Sequence, residues 1–299
     1  MKLILIVLPA FLIFGTGFIG QKLLKLNVKS ISTMALYLMM PFLTFNTFYT
    51  NKLNQEYLYV ILFNILLIPI LAVITFIVGK IIKTDKKRLS AMLLGTAFPN
   101  MGNYGAPVAL FAFGTIGFNY AIITMVIQTI FINTIGVFIA AYGGEKSTSV
   151  RDAFLNMVKM PVLYGVIIGL IFQIMHITLP SNILQSINLM GSAAVPTVMI
   201  ILGMQLAEVK AEKFEWKYVY SITMLRMVIS PLVTALFVSV MPINTTLKDV
   251  FILLSAMPIA ANTTLLAVQF DTKPNMVSFL TLITTLISLI TIPLTLHFL

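Results

Sequence analysis

Two asparagines stand at the same distance behind a proline, each in the middle of a long apolar run. Pro99-Asn100-Met101-Gly102-Asn103 and Pro258-Ile259-Ala260-Ala261-Asn262 both read Pro-x-x-x-Asn. The chemistry on offer is recognition, not bond-making. A proline removes a backbone donor and clashes with the carbonyl one turn back, so it breaks or kinks a helix. Inside a bilayer the freed backbone groups must be buried in protein or line a wet cavity. Around the first motif Pro99, Gly102, Gly105 and Pro107 crowd together, which predicts an unwound stretch. Asn100, Asn103 and Tyr104 then offer amide and phenol groups to a ligand. Pro258 has no glycine beside it, and Asn262 and Thr263 follow it. If the two broken segments cross, Asn103 and Asn262 meet, and half-helix N-termini aimed at the crossing favour an anionic group. The competing reading is that these side chains only cap the breaks and lock helix packing.

Arg226 is the one charge well inside an apolar run. An intramembrane charge is expensive and marks a functional hypothesis by default. Two readings stand side by side: an electrostatic partner for an anion, or a side chain that snorkels to the interface or satisfies a carbonyl freed by Pro231. Gln128, Asn133, Gln205, Asn46 and Asn64 are further amides in apolar runs, each read alone as packing glue.

Enzyme chemistry has little to work with. The chain has no Cys, and His176 and His297 lie near run ends, far in sequence from any carboxylate. A thiolate metal site, a helical His–carboxylate pair or a Ser/His/Asp relay is therefore not expected. No cofactor is implied. The net charge of +10 does not point to nucleic acid, because the positives sit in short loops and not in a patch interleaved with aromatics.

These residues need elements to hold them, and the composition says which solvent the elements meet. Of 299 residues, 59% are hydrophobic and 9% charged, against about 25% charged in a soluble domain. Apolar runs of about 20 residues, the length of a bilayer span, recur along the chain. Ten are expected, over 3–20, 30–49, 57–80, 89–113, 118–142, 160–177, 183–207, 217–241, 247–270 and 275–297. The first is read as a retained helix and not a cleaved signal, since no small-residue cleavage site follows it. The connector 143–159 includes an amphipathic-looking stretch from Arg151 to Lys159 that suits the interface. Alternating the loops puts Lys2, Lys52 and Lys248 on one side and nearly all other Lys and Arg on the opposite one. The positive-inside rule then makes the richer side cytoplasmic and both termini external, in a cell (inner or plasma) membrane.

The two halves of the chain repeat. Pro9, Pro41, Pro69 and Pro99 match Pro161, Pro196, Pro231 and Pro258 in order, with the fourth pair extended by the shared asparagine. Five spans per half is an odd number, so the second half, 160–299, must enter the membrane opposite to the first, 1–142. The expected fold is thus an all-α membrane protein built as a five-plus-five inverted repeat, with broken helices four and nine crossing.

These residues carry a resemblance. Pro99-Asn100-Met101-Gly102-Asn103-Tyr104-Gly105-Ala106-Pro107 resembles the signature of the auxin efflux carrier family, an Asn followed by Gly-x-Pro, here with four residues between Asn100 and Gly105. Ala256-Met257-Pro258-Ile259-Ala260-Ala261-Asn262 is similar to that family's second crossover, and Arg226-Met227-Val228-Ile229-Ser230-Pro231 to its eighth span. The resemblance covers the whole chain. It implies a fold like that of bile-acid symporters and sodium/proton antiporters, with helices 1, 2, 6 and 7 as a scaffold that forms a homodimer and helices 3–5 and 8–10 as a transport domain. It implies a small organic anion as the substrate, an auxin or a carboxylate such as malate. Compact loops suit a bacterial, malate-permease-like member. The expected function is alternating-access transport at the crossover in a lipid bilayer; the alternative is a membrane sensor or scaffold that binds the anion without moving it.

Overall fold

The computed structural model describes residues 2–51, 55–144, 151, 155, 158–208 and 215–299. Most of the connector 143–159, with its amphipathic stretch, lies outside these residues, as do Lys52, Lys210 and Lys213. Among the described residues every extended element is helical, and the one β-type pairing is a single antiparallel bridge.

Among the described residues six helices are long and apolar enough to cross a membrane: α2 (Val28–Thr50), α3 (Gln55–Ile81), α5 (Met101–Gly143), α7 (Ser181–Glu208), α8 (Trp216–Ser239) and α11 (Pro274–Phe298). The other expected spans take different forms. The apolar part of α1 (Lys2–Leu24) and α6 (Pro161–Ile174) are shorter helices. The runs 89–113 and 247–270 are interrupted, leaving α4 (Lys86–Ala97) before one break and α9 (Thr245–Ser255) and α10 (Ala261–Gln269) around the other. In α5 the backbone leaves helical geometry at Gly114, with φ 65° and ψ −159°. Only glycine takes that conformation at little cost, and it divides the expected spans 89–113 and 118–142.

Not every proline breaks its helix. Pro9, Pro69, Pro196 and Pro293 lie inside continuous helices. Pro41, Pro107 and Pro231 each follow, by two residues, a π-helical turn: Ala35–Met39, Met101–Gly105 and Leu225–Ile229. The wider turn accommodates a ring that would otherwise strike the carbonyl four residues back.

By its contacts the chain resolves into two compact units. The first comprises Met1–Leu58, Gly102–Val126 and Val158–Glu208. Here α1 packs along α7 and α2 along α6, at distances only glycine permits. A methyl group on Gly17 would strike the Ile200 carbonyl, and one on Gly203 the Phe14 carbonyl. Likewise one on Gly169 would come within 2.7 Å of the Phe45 carbonyl. Small residues let membrane helices approach backbone to backbone where the hydrophobic effect does not drive them together. Polar side chains finish the seams. Thr44 donates to the Val162 carbonyl at 3.1 Å, and Gln173 to the Phe48 and Asn51 carbonyls at 2.9 and 2.6 Å, at the end of α2.

The second unit comprises Tyr59–Met101, Ile127–Met157 and Val209–Leu299. Its core includes Leu94, Ala97 and Phe98 packed with Ile132, Ala260 and Phe270. A second cluster joins Met92, Ile222, Ile259 and Leu280. The rings of Phe63 and Phe251 stack at 4.0 Å. The two interrupted helices run through this unit.

Candidate functional site

α4 begins at a cap and ends at a proline. Asp85 accepts a hydrogen bond from the Arg88 amide at 2.9 Å, and the helix stops at Ala97 because Pro99 has no N–H to continue it. α9 is built in the same way. Asn244 caps its start by accepting from the Leu247 amide at 2.8 Å, and Pro258 follows its end at Ser255. The two breaks lie against each other as a minimal antiparallel pair. The Asn100 amide donates to the Pro258 carbonyl at 2.7 Å, and the Ala260 amide to the Phe98 carbonyl at 3.0 Å. Backbone groups that neither helix nor lipid can satisfy thereby satisfy one another.

The bridge pairs Pro99 with Ile259, so the local two-fold relates Asn100 to Ala260 and Phe98 to Pro258. That register is one residue away from the proline-on-proline alignment of the sequence. A pair of side chains pins it. Gln128 donates to the Pro99 carbonyl at 2.9 Å, and the Ile259 amide donates to Thr284 Oγ1 at 3.2 Å. Each bridge residue is thus held by a polar group from further along the chain, Gln128 from α5 and Thr284 from α11. Read in sequence as packing glue, Gln128 is a ligand of the crossover; Thr284 has no sequence signal beyond its place among Thr281, Thr284 and Thr285.

The pairing leaves two carbonyls without their helical donors. Thr96 would have received the Asn100 amide and Ser255 the Ile259 amide, four residues on, but both amides are engaged elsewhere. Arg226 fills both vacancies. It is fully buried; its Nη1 donates to the Thr96 carbonyl at 2.6 Å, and its Nη2 to the Ser255 carbonyl and to Ser230 Oγ. Ser230 Oγ donates to the same Ser255 carbonyl at 2.9 Å. The guanidinium therefore closes the C-terminal ends of α4 and α9, where the helix dipoles concentrate negative charge. No carboxylate balances it among the described residues; carbonyl dipoles do. Arg226 does not snorkel, and the carbonyls it satisfies belong to the crossover, not to Met227, the residue one turn before Pro231. Its π-helical turn absorbs that proline instead.

The other residues expected to bind a ligand fall in different places. Asn100 is buried, and its Nδ2 has no hydrogen-bond partner among the described residues. Asn262 is exposed in the first turn of α10. Thr263 is buried, and its hydroxyl donates to the Ala260 carbonyl at 2.7 Å, which turns it inward to the break. No side chain caps the start of α10, so Asn262 does not serve as a cap there. Asn103 and Tyr104 belong to the first unit, in the π-helical turn Met101–Gly105. Asn103 is half-buried. Tyr104 is fully buried, its ring edge-on to Phe14 at 4.9 Å and to Phe11 at 6.1 Å. Such edge-to-face contacts are favourable in their own right, and they take the ring into packing.

The expected unwound stretch is shorter than Gly102, Gly105 and Pro107 suggest. Non-helical backbone is confined to Phe98–Asn100, and the chain is helical again from Met101. Pro107 stands just after the π-helical turn, and Gly102 serves packing, since a methyl group there would meet Met125 Sδ at 2.8 Å.

Two interrupted helices thus pair at their breaks, with one buried cation closing both. The family profile described as membrane transport protein matches residues 2–296. The chain belongs to this family, that of the auxin efflux carriers. An uncharacterized transporter of Methanocaldococcus jannaschii is 29% identical, covering 98% of this chain and 97% of its own. Another, of Methanothermobacter thermautotrophicus, is 25% identical over 98% and 95%. The protein is a multi-pass membrane transporter and not an enzyme.

Proposed function

We propose that this transporter carries small organic anions, carboxylates such as malate or auxin-like acids, by alternating access at the crossover. The observation that carries the reading is the buried amide of Asn100, whose Nδ2 lacks a partner among the described residues, near the uncapped start of α10. A buried donor left unsatisfied costs about 1–3 kcal/mol, and a carboxylate oxygen relieves that cost. The N-terminal amides of α10 and the exposed amide of Asn262 supply further donors, and the helix dipole favours negative charge there. Thr263, in the same unit as Asn100 and Asn262, completes the proposed binding set. Arg226 acts on the anion through its field.

The proposed frame is ten spans in two inverted halves, with both termini outside the cell membrane. Matching contacts support it. The shift that aligns Pro9 with Pro161 carries Gly17 onto Gly169, and the shift that aligns Pro41 with Pro196 carries Phe45 onto Ile200. Gly17 abuts the Ile200 carbonyl and Gly169 the Phe45 carbonyl, so the same contact occurs twice. In the other unit Thr96 and Ser255, related by the shift between Pro99 and Pro258, share Arg226. The proposed scaffold and homodimer contact is helices 1, 2, 6 and 7 of the ten, and the proposed transport domain helices 3–5 and 8–10.

A thermal-shift series of small carboxylates on the purified protein tests the substrate class. A ligand selective for the folded state at 100 times its Kd adds about 2.7 kcal/mol of stability. The reading expects carboxylates to raise the melting temperature, amines not to, and Asn262→Ala to lose the effect. A response to amines alone would contradict it.

A further inference from the structure

We propose that a charged cleft in the second unit, separate from the crossover, binds the phosphate group of an anionic lipid headgroup. The cleft encloses about 420 Å³ where the starts of α4, α8 and α11 converge. Its rim carries Lys87, Arg88 and Lys273, and its floor Val219, Phe279 and Leu280. A cationic rim over an apolar floor suits an amphiphile with an anionic head. The two acids of the rim are already engaged: Asp271 pairs with Lys87 at 3.1 Å, and Glu215 pairs with Arg88. Lys273 makes no ion pair among the described residues. It enters α11 with φ 49°, no side chain caps the helix behind it, and Lys273, Asn275 and Met276 all line the cleft.

A second observation gives the depth of the cleft. Trp216 and Tyr220 are 64% and 70% exposed on the first turns of α8, directly after Glu215. Exposed Trp and Tyr at the end of an apolar helix sit at the headgroup layer. Lys217 and Arg88 both lie against the ring of Tyr218, a lining residue of the cleft, at 4.9 and 5.5 Å. Basic recesses between membrane helices at that level hold anionic headgroups.

The test uses the full chain, purified and returned to nanodiscs of phosphatidylcholine with or without phosphatidylglycerol, with glycerol phosphate as a soluble arm. Retention of phosphatidylglycerol is read by native mass spectrometry. Lys273→Glu should lower it about tenfold, while Lys29→Glu, an exposed lysine of the first unit, should leave it within twofold. Displacement by millimolar glycerol phosphate would assign the site to phosphate from a soluble source, and its failure to displace would assign it to the lipid. Equal losses in the two variants, or no loss in Lys273→Glu, would overturn the proposal.

Discussion

The carbonyls of Thr96 and Ser255, 159 positions apart in the chain, are satisfied by one guanidinium, that of Arg226. Each is the acceptor its helix loses when the proline break diverts the amide four residues on. A lysine donates from a single nitrogen and does not reproduce the rigid two-nitrogen fork that spans these carbonyls. Arg226→Lys therefore weakens the clamp, and Arg226→Met leaves the Thr96 carbonyl buried and unpaired, at about 1–3 kcal/mol, with the Ser255 carbonyl keeping only Ser230. Thermal melts of the purified variants should rank wild type above Lys and Lys above Met. A lysine variant as stable as wild type would show that the clamp is not needed.

Gln128 and Thr284 hold the two sides of the bridge. Gln128→Leu and Thr284→Val should each speed hydrogen exchange at the Asn100 and Ala260 amides, the two donors of the pair. Because the side chains share one small structure, the double variant should depart from additivity by about 0.5 kcal/mol or more. Strict additivity would mean that the two sides open independently.

The helix seams of the first unit make a sharper prediction. Gly17→Ala places a methyl group on the Ile200 carbonyl, and overpacking of this kind costs about 1–3 kcal/mol. Gly169→Ala should cost a similar amount at the Phe45 carbonyl. Gly15→Ala and Gly20→Ala, on the same helix as Gly17, meet nothing within 4 Å and should be neutral or slightly stabilising. Equal melting temperatures for Gly15→Ala and Gly17→Ala would refute the close approach.

What the sequence disclosed follows from how local each cause is. A proline acts on its own helix, so the breaks at Pro99 and Pro258 were legible from residue type and spacing. Its effect also depends on the turn before it, and no residue pattern distinguishes Pro231, absorbed by a π-helical turn, from Pro99, which ends a helix. The unwound stretch was overdrawn for that reason. Arg226 was legible as a buried charge but not as a clamp, because its acceptors are backbone atoms from two distant segments. Tyr104 looked like a ligand group beside Asn103; its aromatic neighbours Phe11 and Phe14 come from another helix and could not be read in advance.

At the start of α4, partial desolvation raises the Asp85 carboxyl, but the amide and guanidinium of Arg88 outweigh it and hold it below the ordinary carboxylate value. A lowered value in the folded state means that the stabilisation is present above the unfolded value, near pH 4, and is lost as pH falls through the folded one. Asp85→Ala removes the cap, worth about 1 kcal/mol. Its melting temperature should lie below that of wild type at pH 7, and the gap should close toward pH 3. A gap that widens on acidification would have the wrong sign for this cap.

Uptake in liposomes tests the crossover most directly. Wild-type protein and Asn262→Ala are reconstituted at equal density, and the Asn100 and Ala260 amides are checked for unchanged hydrogen exchange. Counterflow of a labelled carboxylate is then measured. Asn262 is exposed and makes no cap, so the variant should fold as wild type does and lose at least about tenfold in initial rate. A folded variant that exchanges the carboxylate at the wild-type rate would remove the crossover from the transport path.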